Sequence, residues 1–355
     1  MNKIKTLSKF WKGKKVFITG HTGFKGSWML ILLNMIGAKI YGYSLKPNKK
    51  SLFIQAKCKD LLKGNFYADI NDYNNLKKKI SKTKPNILFH LAAQPLVSQS
   101  FVNPLETLKT NILGTANLLN IIRKIPSLKS VVIITTDKVY KIKKSNKQYS
   151  ELDDLGGKDP YSVSKVCAEF LTNSYIESFF KNKKLRNSVS TARSGNVLGG
   201  GDYSKDRLLP DIISSINLNK KIIIRNPKNI RPWQHVIEPI YGYLRLAELQ
   251  YKKKKLHQNQ CWNFGPNKDS FVSVSYILKM INKNLKLKVK VKKNQKFFET
   301  AILKLDSKKS KKILNWKPKW NLQKSIHSVI DWNEKFKLNE NVKKICENQI
   351  KDYFK

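Results

Sequence analysis

The segment Val16-Phe17-Ile18-Thr19-Gly20-His21-Thr22-Gly23-Phe24-Lys25-Gly26 restricts this chain more than any other. A short apolar, partly β-branched run ends directly in a glycine, and two more glycines follow at intervals of three. Glycine accepts the positive φ of a tight turn and lets another backbone or a ligand approach where a Cβ would collide. An apolar stretch from about residue 26 to 37 follows without proline, so the loop leads from a strand into a helix. Such a unit aims backbone N–H groups and the positive end of a helix at one point, which suits a pyrophosphate. Gly20, Thr22, Gly23, Phe24, Lys25 and Gly26 are therefore candidate dinucleotide-binding residues.

Further strands are expected at 39–43, 86–91, 130–135 and 188–192, with helical patterns at 73–82, 107–123 and 160–181. Asp159 is placed to cap the last of these and Pro160 to open it. This alternation implies an α/β fold, a Rossmann doubly wound parallel sheet with helices on both faces. Beyond residue 195 the alternation fades into loops rich in Gly, Asp and Pro, consistent with a smaller, partly interleaved C-terminal substrate-binding domain. The expected division is 1–193 for the dinucleotide domain, rejoined by about 233–262, and 194–355 for the second. A returning strand is expected around 234–236, with a helix at 244–249. Trp262-Asn263-Phe264-Gly265 reads as a short strand opening the C-terminal lobe, its aromatics in the core. The C-terminal stretch reads as polar helix.

A dinucleotide site of this type usually carries an acid about 20 residues past the glycine loop, to hold the adenosine ribose. None occurs between Gly26 and Asp60. Ser44 stands at the end of the second strand with Lys46 nearby, which leaves NADP open, because a Lys pairs with a 2′-phosphate. Asp69-Ile70 follows a third possible strand. Asp69 is placed either to meet the adenine or to cap a helix.

Tyr161 and Lys165 form Y-x-x-x-K, and the i, i+4 spacing sets both on one helix face. A nearby ammonium favours the phenolate, so Tyr161 is expected to titrate below its ordinary value and to serve as a general base for a sugar hydroxyl. Thr135-Thr136-Asp137-Lys138 stands at the C-terminal end of a strand, the edge where open α/β sheets bind ligands. Thr136 can bond the oxygen that Tyr161 deprotonates, and Asp137 adds a carboxyl group.

The chain has 355 residues, with 70 Lys+Arg against 24 Asp+Glu and a formal charge of +46. Only Arg123, Arg186, Arg193, Arg207, Arg225, Arg231 and Arg245 are arginines. Nucleic-acid surfaces favour the guanidinium fork, so the excess reads as a solvated lysine coat, with no nucleic-acid partner. Hydrophobic residues make up 41%, which excludes disorder as the main state. The cysteines Cys58, Cys167, Cys261 and Cys346 are scattered, and the histidines show no H-x-x-x-H spacing. No metal site and no disulfide framework are expected, which fits a reducing cytoplasm. The apolar run 29–36 is too short to span a bilayer, so no membrane partner is expected. Four of the seven arginines fall between 193 and 231. That placement suits a diphosphate, although Arg193 and Arg225 read better as structural salt bridges.

The glycine loop, Leu91-Ala92-Ala93-Gln94, Thr136-Asp137 and Tyr161/Lys165, in that order, resemble the extended short-chain dehydrogenase/reductase family. Gly20-His21-Thr22-Gly23-Phe24-Lys25-Gly26-Ser27-Trp28, His90-Leu91-Ala92-Ala93-Gln94-Pro95-Leu96-Val97, Gly195-Asn196-Val197-Leu198-Gly199-Gly200-Gly201-Asp202 and Arg231-Pro232-Trp233-Gln234-His235-Val236 look like its nucleotide-sugar 4,6-dehydratases. Within these they look like the enzymes acting on CDP-glucose. The resemblance runs from about residue 10 to 332. It implies bound NAD, held also by Ser44, Asp69, Ile70, Leu91, Ala92, Ala93, Gln94, Asn111, Thr135, Tyr161 and Lys165. It implies that Gln94, Asn196, Arg207, Leu208 and Arg231 meet the nucleotide sugar. The implied reaction oxidises C4, eliminates water across C5–C6 and returns the hydride to C6, a step toward deoxysugars such as those of lipopolysaccharide O-antigen. Thr136, Asp137, Lys138, Tyr161 and Lys165 would carry it, with Asp137 as general acid. Lys138 acts either as a neutral base at C5 or as a cation facing an enolate. A homodimer or homotetramer built on the helices near 107–123 and 160–181 is also implied. A dehydratase for another nucleotide, a 4-epimerase, and a non-catalytic NAD-sensing module that binds nucleic acid are the alternatives.

Overall fold

The computed structural model describes residues 3–143, 146–181, 187–252, 260–282, 288–291 and 300–355. Arg186 and the lysines at 253–255 lie outside the described residues. Seven strands form one parallel sheet: β1 (Lys15–Thr19), β2 (Lys39–Ser44), β3 (Leu62–Tyr67), β4 (Ile87–His90), β5 (Ser130–Ile134), β6 (Ser188–Ser194) and β7 (Cys261–Phe264), in the order β7-β6-β5-β4-β1-β2-β3. The winding direction reverses between β1 and β4, so a crevice opens at the C-terminal ends of the strands there.

Successive residues of one strand serve opposite faces. Val16 and Ile18 of β1 enter one core cluster, and Phe17 between them enters another. The first face is covered by helices α1 (Phe24–Met35), α6 (Ile237–Lys252) and α8 (Val342–Phe354). The second is covered by α2 (Tyr73–Thr83), α3 (Gly114–Ile122) and α4 (Pro160–Tyr175). Over the C-terminal edge of the sheet lie α5 (Leu208–Asn217), α7 (Leu322–Lys337) and three two-stranded pairings.

Residues 26–33 of α1 are all buried, so this helix is apolar around its whole girth and needs cover on its far side. That cover is α8, which packs Ile345, Cys346, Ile350, Tyr353 and Phe354 into the same cluster. Buried Glu238 fixes the C-terminal segment by accepting from Tyr353 Oη at 2.6 Å and from the backbone N–H groups of Lys319 and Trp320. The C-terminal stretch is therefore part of the core and not a polar appendage.

The returning strand differs from the expectation. Gln234–His235 pairs with Val197–Leu198 away from the main sheet, and Cys261–Phe264 returns beside β6. Trp262 and Phe264, which share one face of β7, are fully buried in the first core cluster against α6. Among the described residues no helix is long and apolar enough to cross a membrane, and no cluster of His, Cys, Asp and Glu is arranged to hold a metal.

Candidate active site

A cavity of about 1100 Å³ runs along the C-terminal edge of the sheet, from the glycine loop to α5 and α7. That exceeds the usual upper range of about 1000 Å³ for one small-molecule pocket, which leaves room for two ligands end to end.

The dinucleotide end is shaped by steric necessity. Gly20 has φ +74°, and a Cβ there would stand 2.5 Å from the backbone nitrogen of Ala92. A Cβ on Gly26 would stand 2.5 Å from the carbonyl oxygen of Gly20, so helix and loop touch. Gly23 is different. Its Cβ position meets only the Gly20 oxygen at 3.4 Å, and it caps α1 without any side-chain hydrogen bond. The first turn of α1 thus opens its N–H groups toward the cavity, a cradle that fits a pyrophosphate. The residues present fit a dinucleotide.

At the end of β2, Thr22 Oγ1 and Ser44 Oγ lie 2.8 Å apart, where a ribose-binding acid would otherwise stand. Asp69 is exposed at the cavity rim and accepts from the backbone and side chain of Asn71. The cap of α2 is instead Asp72, which accepts from Asn75 N. Ile70 is buried against Gly114 and lines the cavity, as do Leu91, Ala92 and Ala93.

Gln94 and Asn111 do not line the cavity. Gln94 donates to Leu96 O and Thr107 Oγ1, so its amide is spent on its own loop and a following helix. Asn111 accepts from Gln94 N at 2.9 Å and donates to Ser164 Oγ at 2.8 Å. It sits in a π-helical turn, Lys109–Leu113, an irregularity found often at functional sites. There it clamps the loop after β4 to the helix that carries Tyr161.

Asp159 caps α4 as expected, accepting from Ser162 N at 2.9 Å. Tyr161 and Lys165 both line the cavity. Tyr161 does not titrate low. Burial pushes its hydroxyl up to about 12, opposed by a hydrogen bond to Thr136 and by the charge of Arg207. The i, i+4 geometry aims Lys165 elsewhere: its ammonium donates to Ile134 O at 3.4 Å. Burial lowers Lys165 to about 8, while Glu169 opposes the fall.

Asp137 is 1% exposed. Thr136 Oγ1 donates to its Oδ1 at 3.2 Å, and its Oδ2 is a buried atom with no hydrogen-bond partner among the described residues. Burial raises its pKa, and Lys138, Arg231, Thr136 and Lys25 oppose the rise. A carboxyl shifted toward its protonated form beside a phenol places an acid next to a latent base. Lys138 is half-buried and lines the same wall.

The far end holds Asn196, Arg207, Leu208 and Arg231. Arg207 donates to Asp202 Oδ2 at 3.1 Å, and Arg231 is buried with Nη1 on Ile230 O at 2.9 Å. Arg225 also lines this end and pairs with Asp206. Arg193 does not line it. It forms a buried two-point pair with Glu169, whose oxygens also accept from Thr135 and Thr191. Thr135 is therefore held by Glu169. Sequence reasoning missed Glu169, although Tyr161, Lys165 and Glu169 recur at intervals of four on one helix face. It also missed Ser194, which accepts from Lys25 Nζ and from Tyr243 Oη, both at 2.8 Å. No short-range spacing announces that contact.

A family profile described as GDP-mannose 4,6 dehydratase matches residues 17–329. The chain is 39% identical over 353 residues to a CDP-glucose 4,6-dehydratase of Salmonella typhimurium, covering 97% of each. It is 30% identical over 257 residues to a dTDP-D-glucose 4,6-dehydratase of Dictyostelium discoideum, covering 66% of this chain and 56% of that one. Among solved structures, the dTDP-glucose 4,6-dehydratase of Bacillus anthracis in complex with NAD superposes with a TM-score of 0.76 at 22% identity, covering 91% of this chain and 97% of that one. A UDP-glucuronic acid 4-epimerase of Bacillus cereus, in complex with UDP-glucuronic acid and NAD, gives 0.78 at 21%, covering 91% and 99%. The structural likenesses share the parallel-sheet fold.

Proposed function

The chain belongs to the GDP-mannose 4,6 dehydratase family, and from that premise we propose that it is an NAD-dependent hydro-lyase converting CDP-glucose to CDP-4-keto-6-deoxyglucose and water. The observation that carries the dehydratase reading is Asp137, buried, with an unpartnered Oδ2 and one hydroxyl away from Tyr161. A 4-epimerase has no departing oxygen to protonate and no use for such an acid. The choice of CDP-glucose rests on the relative that matches 97% of the chain.

In this reading the α1 cradle and Thr22, Ser44, Asp69 and Ile70 hold NAD, which supplies a reversible hydride acceptor. Tyr161 removes the C4 hydroxyl proton, and Thr136 holds the same oxygen. Lys165 and Glu169 fix the helix face and the Thr135-Thr136 backbone around that oxygen. Ketone formation acidifies the C5 proton. Lys138, on the same wall, takes that proton as the base at C5 while Asp137 protonates the departing O6. Arg207 and Arg231 meet the diphosphate, beside Asn196 and Leu208.

The domain division belongs to the same proposal: residues 1–193, rejoined by about 233–262 and completed by β7 and α8, for the dinucleotide, and the rest of 194–355 for the nucleotide sugar. So does a cytoplasmic homodimer or homotetramer, supported by the exposed apolar side chains of Val163 and Phe170 on α4 and Leu113 ahead of α3. The test is incubation with CDP-glucose, UDP-glucose, dTDP-glucose and GDP-mannose, followed by detection of the 4-keto product. CDP-glucose should turn over fastest. Turnover of another sugar nucleotide alone would overturn the substrate assignment, and epimerisation without a 6-deoxy product would overturn the reaction.

A further inference from the structure

Lys25 belongs to the glycine loop by sequence but not by contact. It is the second residue of α1, where the helix dipole opposes a cation. Its side chain leaves the loop and donates to Ser194 Oγ at 2.8 Å, at the end of a strand three places away from β1 in the sheet. Ser194 is itself held by Tyr243, whose hydroxyl is fully buried, so the anchor is rigid. Among the described residues the Lys25 ammonium pairs with no carboxylate, although it lines the cavity and is half-buried. An ammonium has three N–H donors, and Ser194 takes one.

The remaining donors share a corner with the unpartnered oxygen of Asp137. The Cβ position of Gly195, next to Ser194, stands 2.8 Å from Asp137 Oδ2. Ser194 and Gly195 therefore bring the Lys25 ammonium and the Asp137 carboxyl to adjacent points of one wall. Arg207, Asp137, Lys165 and Asp202 are the charges Lys25 feels, and all four line the substrate side of the cavity. Desolvating part of a cation with no paired carboxylate is costly, and a ligand oxygen in that corner would offset the cost.

We propose that Lys25 is a catalytic residue of the elimination step, donating a hydrogen bond to the oxygen that departs from C6 of the hexose while Asp137 protonates it. The inference rests on the dehydratase reading above. The C5–H electron pair becomes the C5=C6 bond, and its proton passes to Lys138. The C6–O6 bond breaks, and the Asp137 proton goes to O6, which leaves as water. Lys25 acts as the ammonium, whose pKa desolvation lowers to about 7, keeps its protons through the step and stabilises the negative charge that builds on O6 before proton transfer is complete.

The experiment compares Lys25→Met, Lys25→Arg and Asp137→Asn with wild type in single turnovers of CDP-glucose, reading bound NADH by absorbance. NAD and CDP-glucose affinities are read by calorimetry, and folding by thermal melting. Lys25→Met should form NADH at the wild-type rate and lose it about 100-fold more slowly, the usual effect of removing one such donor. NAD affinity should change less than about 3-fold, and Lys25→Arg should recover part of the rate. An unchanged NADH decay together with weakened NAD binding would overturn the proposal and return Lys25 to the dinucleotide. If Lys25→Met does not fold, the Lys25→Arg transient decides: a slowed decay supports the role and a wild-type decay overturns it. Asp137→Asn separates the two levels. NADH accumulation there without accumulation in Lys25→Met sinks only the Lys25 role, and no accumulation in Asp137→Asn sinks the dehydratase reading with it.

Discussion

Glu169→Gln should damage both the fold and the pH dependence of activity. The Glu169 carboxylate is 5% exposed and accepts from Thr135 at 2.6 Å, Thr191 at 2.5 Å, and Arg193 at 2.9 and 3.0 Å. All four of its acceptor positions are used. Gln keeps one oxygen, turns an N–H₂ group toward existing donors and leaves the Arg193 guanidinium buried without its counter-charge. Breaking such a pair costs about 3–5 kcal/mol. With an unfolding entropy of about 2.1 cal/mol/K per residue, a chain of this size should melt roughly 4–7 °C lower. The second effect has a defined sign. Lys165 is an ammonium below its pKa, which burial lowers to about 8 while the Glu169 charge opposes the fall. Removing that charge lowers the value further, so activity that needs the ammonium is lost at a lower pH. Circular dichroism melting and a pH–kcat profile read the two effects. A melting point within about one degree of wild type, or an alkaline limb that does not move, would refute the account of Glu169.

Other substitutions probe the rest of the site. Tyr161→Phe should cut the first C4 oxidation by about 10²- to 10⁴-fold, the usual worth of a positioned base; an undiminished NADH transient would remove Tyr161 from that role. Gly26→Ala places a Cβ 2.5 Å from the Gly20 oxygen, so it should cost about 1–3 kcal/mol of stability and weaken NAD binding in calorimetry. Arg231→Lys keeps the charge but loses the fork, so KM for CDP-glucose should rise by about tenfold with kcat nearly unchanged. A fall in kcat alone would place Arg231 away from the diphosphate.

The parts of this fold that could be read from sequence are those where a local rule has one outcome. Gly20 and Gly26 hold positions where a Cβ collides with backbone, and Asp159-Pro160 both caps and opens α4. The apolar runs put β1, β2, β4, β5 and β6 in one sheet because strands buried on both faces admit little polarity, whereas the polar edge strand β3 gave no such signal. β7 was misplaced because four residues with two aromatics fit a lobe strand as well as a sheet edge, and only long-range pairing decides. Lys25 and Gln94 were read by motif position. Their contacts are made with Ser194 and Thr107, distant in sequence. The acidity of Tyr161 was misjudged because helix spacing fixes a shared face but not where an ammonium points. Lys165 bonds a strand carbonyl, and desolvation decides the balance at the phenol.

The most direct test of the central claim follows one atom. CDP-glucose carrying deuterium at C4 is converted by the purified protein in ordinary water, and the product is examined by NMR and mass spectrometry. The account predicts CDP-4-keto-6-deoxyglucose with the deuterium retained at C6, because C4 oxidation, elimination and hydride return occur in one closed site. Deuterium retained at C4 of an epimer, or lost from the product altogether, would contradict it.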